Sequence, residues 1–154
     1  MSSQEQFERA REDETYRQPF LEGINLEYAS RFVKRVIYKP EPFSREFNGK
    51  KRNSMMGCLP GHIIILGLPV KLPHTRSEIL VFPLAFETLP TFRHFQNALI
   101  DHEGFHALQN FVNPWQNRPK LEQEAYWNQM TQSYYRGLND EWRSGIARLS
   151  SEYS

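Results

Sequence analysis

Between Pro90 and Pro114 nothing interrupts a helix except Gly104, and across that span Phe92, Phe95 and Leu99 recur at helical spacing and run in register into His102 and His106. The pattern predicts one long amphipathic helix, capped at Thr88, opened by Pro90 and stopped at Asn113-Pro114. Residues four apart share a helix face, so His102 and His106 offer two imidazoles to one ion, with Glu103 beside them. The run His102-Glu103-Gly104-Phe105-His106 is an HExxH pattern, the arrangement in which a metal ion and a general base act on one water. Three fixed residues recur by accident, so the pattern needs support from its surroundings. The apolar stripe supplies the first part, because it turns both histidines toward the body of the fold.

A chain of 154 residues suits a single domain over 1–154, and 39% hydrophobic with 24% charged residues is ordinary for a globular protein. The net charge of +1 gives no electrostatic reason to expect a nucleic acid partner. Cys58 stands alone, which removes an internal disulfide and any cysteine-built metal cage, and leaves nitrogen and oxygen as ligands. No apolar run approaches the roughly 20 residues of a membrane helix, and Ser2 to Arg17 lack the apolar core of a secretory signal. The expectation is a cytoplasmic protein with no membrane partner.

Residues 2–17 are rich in Glu, Gln and Arg with only Phe7 and Tyr16 as large apolar groups, and read as a solvated helix or mobile arm reaching to about residue 20. Helical spacing from Asn25 to Val33 leads into a strand at Arg35-Val36-Ile37-Tyr38. Residues 39–61, with three prolines, three glycines and the short basic run Lys50-Lys51-Arg52, read as a long irregular connection. Strands are expected at His62 to Leu66 and Glu78 to Phe86, with Pro83 marking a sheet edge or a strand end. Beyond the long helix, two more are expected, at about 119–136 and 139–151. His62 and His74 read as surface or packing residues.

A catalytic zinc takes three protein ligands and leaves a fourth position for water. Glu122 and Glu124, near the start of the next helix, are the candidates for the third ligand, because the turn through Asn113, Pro114 and Pro119 lets that helix fold back on the histidines. Residues two apart point in nearly opposite directions, so only one of them reaches the ion.

The histidine pair, the intervening Glu103 and a downstream glutamate on the following helix resemble the gluzincin metallopeptidases, of which thermolysin is the familiar member. The wording Leu121-Glu122-Gln123-Glu124-Ala125-Tyr126 after His106-Ala107-Leu108-Gln109 also looks like small bacterial HExxH proteins and minimal gluzincins, over about residues 88–137. In that group a small residue commonly follows the ligand glutamate by three positions; Glu122 has Ala125 there and Glu124 has Trp127. Glu122 also shares its face with Ala125, Gln129, Ser133 and Gly137, which permits close packing. Glu122 is therefore the preferred ligand, with Glu124 as the alternative.

The resemblance implies a zincin-like α+β fold, a small mostly antiparallel sheet ahead of the long helix and two further helices. It implies one Zn2+ on His102, His106 and Glu122, Glu103 as general base, and a peptide or protein substrate paired to an edge strand, for which Ile79 to Phe86 is the candidate; an ordinary core strand reads that stretch equally well. Tyr126, Tyr134, Tyr135 and His94 are candidates for steadying the oxyanion, and the residues do not choose among them. One departure stands out: thermolysin-like enzymes orient the first histidine with a carboxylate four residues after the ligand glutamate, where this chain has Tyr126. Asp101, Glu124 or a backbone carbonyl are the possible substitutes. A zinc-dependent peptidase is the leading reading. The alternative is a catalytically weak or latent peptide-binding or regulatory module of the same fold, its metal structural or absent, and a third reading is a latent enzyme whose zinc is covered by the N-terminal arm or by the loop from Lys39 to Gly61.

Overall fold

The computed structural model describes residues 1–47 and 49–153, and the chain is mixed α and β with small sheets. The N-terminal segment does not behave as a mobile arm. Two helices, α1 (Ser3–Glu12) and α2 (Glu14–Glu22), fold against the body. The first opens with a reciprocal capping box between Ser2 and Glu5, and Asp13 closes it and caps the next by accepting from the Thr15 N–H. Phe7 is fully buried, its ring centroid 5.3 Å from that of Phe95 and 6.0 Å from that of Phe20. One large ring, anchored between aromatic neighbours, converts a polar segment into core. Arg17 fastens the elbow, donating to the Ala10 and Arg11 carbonyls and to the Tyr38 hydroxyl.

The helical spacing over Asn25 to Val33 becomes only a 3-10 turn, Glu27–Arg31, before β1 (Val33–Tyr38). The 39–61 connection is more ordered than its prolines and glycines suggest. It forms a hairpin of β2 (Ser44–Phe47) and β3 (Lys50–Asn53), then β4 (Met56–Leu59). A second hairpin follows, β5 (His62–Ile65) with β6 (Leu68–Lys71), and then β7 (Ser77–Val81). The main sheet has the order β1-β7-β4, with β1 parallel and β4 antiparallel to β7.

Of the 78–86 stretch only Glu78 to Val81 is strand, and it lies in the centre of the sheet and not at its edge. Ile79 and Val81 are fully buried, and the strand ends before Pro83, which opens helix α3 (Pro83–Thr88) from its first turn. β4 is the edge on the side of the HExxH helix.

That helix runs from α4 (Phe92–Gln96) through a π-helical stretch, Asn97–Glu103, into α5 (Gly104–Val112). Its cap is Thr91, whose Oγ accepts from the His94 N–H, and not Thr88. The π stretch has a local cause: Tyr28 donates its hydroxyl to the Ile100 carbonyl at 2.9 Å, and Asn128 donates to the Asp101 carbonyl at 2.8 Å. Side chains that capture carbonyls from the i→i−4 ladder loosen the turn there, and such turns recur at functional sites. Gly104, at the end of the stretch, is required by close approach, since a Cβ there would lie 2.6 Å from Ala29 Cβ. Helices α6 (Arg118–Thr131) and α7 (Asp140–Glu152), capped by Asn117 and Asn139, complete the fold. No helix among the described residues is long and apolar enough to cross a membrane.

Candidate metal centre

The turn after α5 lets α6 fold back on the HExxH helix and presents Glu122 to both histidines. One Glu122 carboxylate oxygen lies 3.3 Å from His102 Nε2 and the other 3.3 Å from His106 Nε2. All three side chains are buried, and one ligand atom from each falls within 4.8 Å of the others. Each imidazole turns Nε2 to the common point because its Nδ1 is engaged elsewhere. The donor set, two nitrogens and a carboxylate oxygen, fits a borderline cation such as zinc.

What holds the histidines was not legible in the chain. His102 donates Nδ1–H to Gln129 Oε1 at 3.1 Å, and Gln129 Nε2 donates to Asn97 Oδ1 at 2.7 Å. Asn97 Nδ2 in turn donates to Asp101 Oδ2 at 3.2 Å. His106 donates Nδ1–H to Gln109 Oε1 at 2.8 Å, and Gln109 Nε2 donates to Glu124 Oε2 at 3.0 Å. Each imidazole thus reaches a carboxylate through neutral amides instead of directly. Of the possible substitutes for the carboxylate on the first histidine, Asp101 reaches His102 only through this relay, whereas Glu124 is spent on Gln109 and so reaches His106 instead. An amide oxygen accepts only, so it fixes the Nδ1–H tautomer and leaves Nε2 free to bind.

Tyr126, at the position where a direct carboxylate was expected, packs its ring 4.4 Å from that of His102. Burial, and then the negative charges of Glu122 and Glu103, keep its phenol protonated far above its usual range. Glu103 faces a cleft of about 830 Å3 together with His102 and Glu122. Among the described residues no hydrogen bond or ion pair occupies its carboxylate.

Glu122 and His106 shift each other's protonation. Burial alone would raise Glu122, yet hydrogen bonds and charge from His102 and His106 hold it well below the carboxylate range. Burial would lower His106, yet Glu122 and Glu103 raise it above its ordinary value. Burial pushes Asp101, at the end of one relay, up to about 7, against the lowering effect of the Asn97 hydrogen bond.

The other oxyanion candidates have partners of their own, although His94 also lines the cleft. Tyr134 donates to Glu27, Tyr135 to the Arg143 carbonyl at 3.1 Å, and His94 Nε2 accepts from the Asn139 N–H at 3.2 Å. His62 is exposed and His74 packs its ring edge-on to Phe111, away from the metal centre as read. The β2–β3 hairpin does line the cleft, through Arg45 and Arg52 among others, with Phe43 just ahead of it, whereas the N-terminal helices do not.

If the relays position the imidazoles, Gln129→Ala lowers zinc affinity by roughly 10- to 100-fold while leaving the fold intact, as read by competition with a chelating dye. Unchanged affinity would assign Gln129 to packing alone.

Compared with protein-family models, with curated proteins and with solved structures, the chain has no match.

Proposed function

We propose that the chain is a zinc-dependent peptidase with a zincin-like arrangement. His102, His106 and Glu122 hold one Zn2+, and Glu103 serves as general base. The observation that carries this reading is the buried convergence of His102 Nε2, His106 Nε2 and a Glu122 oxygen within 4.8 Å, next to an uncommitted Glu103 in the same cleft. A centre kept only for structure has no use for a base beside its open position.

Bound there, zinc supplies Lewis acidity, acidifying a water towards a pKa of about 7 and polarising a peptide carbonyl. The chain's own residues do the rest. Glu103 accepts the proton of the attacking water and returns it to the leaving amine. Gln129 and Gln109 fix the imidazole tautomers. Tyr126, whose ring packs against that of His102 in the same cleft and whose phenol stays protonated, is the candidate donor to the developing oxyanion. The edge of β4, which packs on the π stretch and α5, offers main-chain pairing to an extended substrate, in place of the 79–86 stretch.

A second reading draws on the β2–β3 hairpin, which lines the cleft and would make the enzyme latent. Digestion of a peptide library by zinc-loaded protein, before and after limited proteolysis, tests both. Chelator-sensitive cleavage by the intact chain supports an active peptidase, and cleavage only after nicking of residues 44–53 supports latency. No cleavage in either state removes the enzymatic reading.

A further inference from the structure

The β5–β6 hairpin has no role in the metal centre, and its chemistry runs against what a solvated hairpin needs. From Ile63 to Val70 eight consecutive residues carry no polar side chain. The pairs are Ile63 with Val70, Ile64 with Pro69 and Ile65 with Leu68, and every residue of both strands is exposed. Ile64 is 64% exposed, Leu68 69% and the tip residue Leu66 98%. Successive side chains point to opposite faces, so both faces are apolar and neither is covered.

The loop adds a second observation. Leu66 and Gly67 both have positive φ, 51° and 79°, the pattern of a type I′ turn. Asn or Asp normally precedes the glycine there, because a leucine in the left-handed region is strained. A two-stranded hairpin is marginal in water by itself. Strain, exposure and marginal pairing together point to a function of the tip and not to folding.

The flanks indicate what covers it. His62 and Lys71 form the last cross-strand pair, so the apolar run is bounded at one level by two basic side chains. From Pro60 to Ser77 there is no acidic residue, while Lys71 and Arg76 are cationic. A protein groove or a second copy pairing edge to edge covers one face and leaves the other bare. A lipid surface surrounds both faces and attracts the basic base. Strands of four residues reach about 13 Å, enough to place the tip roughly 5–10 Å into the headgroup and acyl boundary while His62 and Lys71 stay among the headgroups. Deeper entry is opposed by the unpaired outer backbone groups of a two-stranded ribbon.

We propose that the β5–β6 hairpin docks the protein on an anionic membrane surface, with Leu66 and its neighbours inserted at the interface. This departs from the expectation of no membrane partner, which rested on the absence of a spanning helix. It is independent of the peptidase reading, because its readout is binding alone.

The test is co-sedimentation of the full chain with vesicles of phosphatidylcholine, with and without phosphatidylglycerol. Wild type is expected to sediment with the anionic vesicles preferentially. Leu66→Asn suits the turn and so keeps the fold, yet weakens vesicle binding by about tenfold or more, the effect of losing one buried leucine. Lys71→Glu removes the preference for anionic lipid. The proposal is overturned if wild type fails to sediment with either vesicle or if Leu66→Asn binds as well as wild type. It is equally overturned if the lipid-free chain is a dimer that Leu66→Asn converts to monomer, which would assign the hairpin to a second copy.

Discussion

Glu103→Gln is expected to keep one zinc bound and to lower peptide hydrolysis by roughly 10²- to 10⁴-fold, the contribution of a positioned general base. The substitution preserves shape, exchanges one acceptor oxygen for an amide NH2, and removes the charge and with it the ability to take a proton. Because Glu103 is not one of the three convergent ligands, metal content should not change. Because no described residue claims its carboxylate, no structural bond is lost, and thermal stability should also stay near wild type. The split between intact metal and lost turnover is the signature of a base. Equal turnover in the variant would show that the proton goes elsewhere, even with the metal centre as described.

The second large effect lies far from the cleft. Phe7→Ala is expected to destabilise the chain by about 3–5 kcal/mol, the usual cost of removing a fully buried ring. Phe7 contacts the rings of Phe20, Phe86, Phe92 and Phe95, so its loss opens a cavity at the junction of α1, α2, α3 and the HExxH helix. Chemical denaturation followed by circular dichroism measures it. A loss under about 1 kcal/mol would mean that the N-terminal helices are peripheral after all.

The contrast between these two residues shows what was readable in the chain. His102, His106 and Glu103 are fixed relative to one another by helical spacing, and local geometry of that kind survives into the fold. Glu122 was placed by a facing argument and a family resemblance, and it meets the histidines; Glu124, two residues on, points to Gln109 instead.

Long-range partners were not readable. Nothing local says that Gln129, Asn97 and Gln109 carry the orienting role, because amides serve equally well on a surface. A signal did exist for two of them: Gln129 follows Glu122 by seven positions and Gln109 follows His106 by three, so each falls on the face that carries its ligand. The burial of Phe7 was hidden for the same reason, since its neighbours lie 13 or more positions away. The residues left edge and core open for the strand before Pro83, and the core reading is the one that holds, because β1 pairs in parallel with β7 across the whole intervening segment, a non-local contact with no periodicity to announce it. Residues 39–61 were misread because turn-forming prolines and glycines mask short strands between them.

The central claim is that one metal ion sits on His102, His106 and Glu122. Zinc content per chain, measured by atomic emission after loading and desalting, tests it most directly. One zinc is expected in wild type and in Glu124→Ala, and essentially none in His102→Ala/His106→Ala or in Glu122→Ala. A wild-type chain that holds no zinc, or variants at His102, His106 and Glu122 that hold as much as wild type, would contradict it.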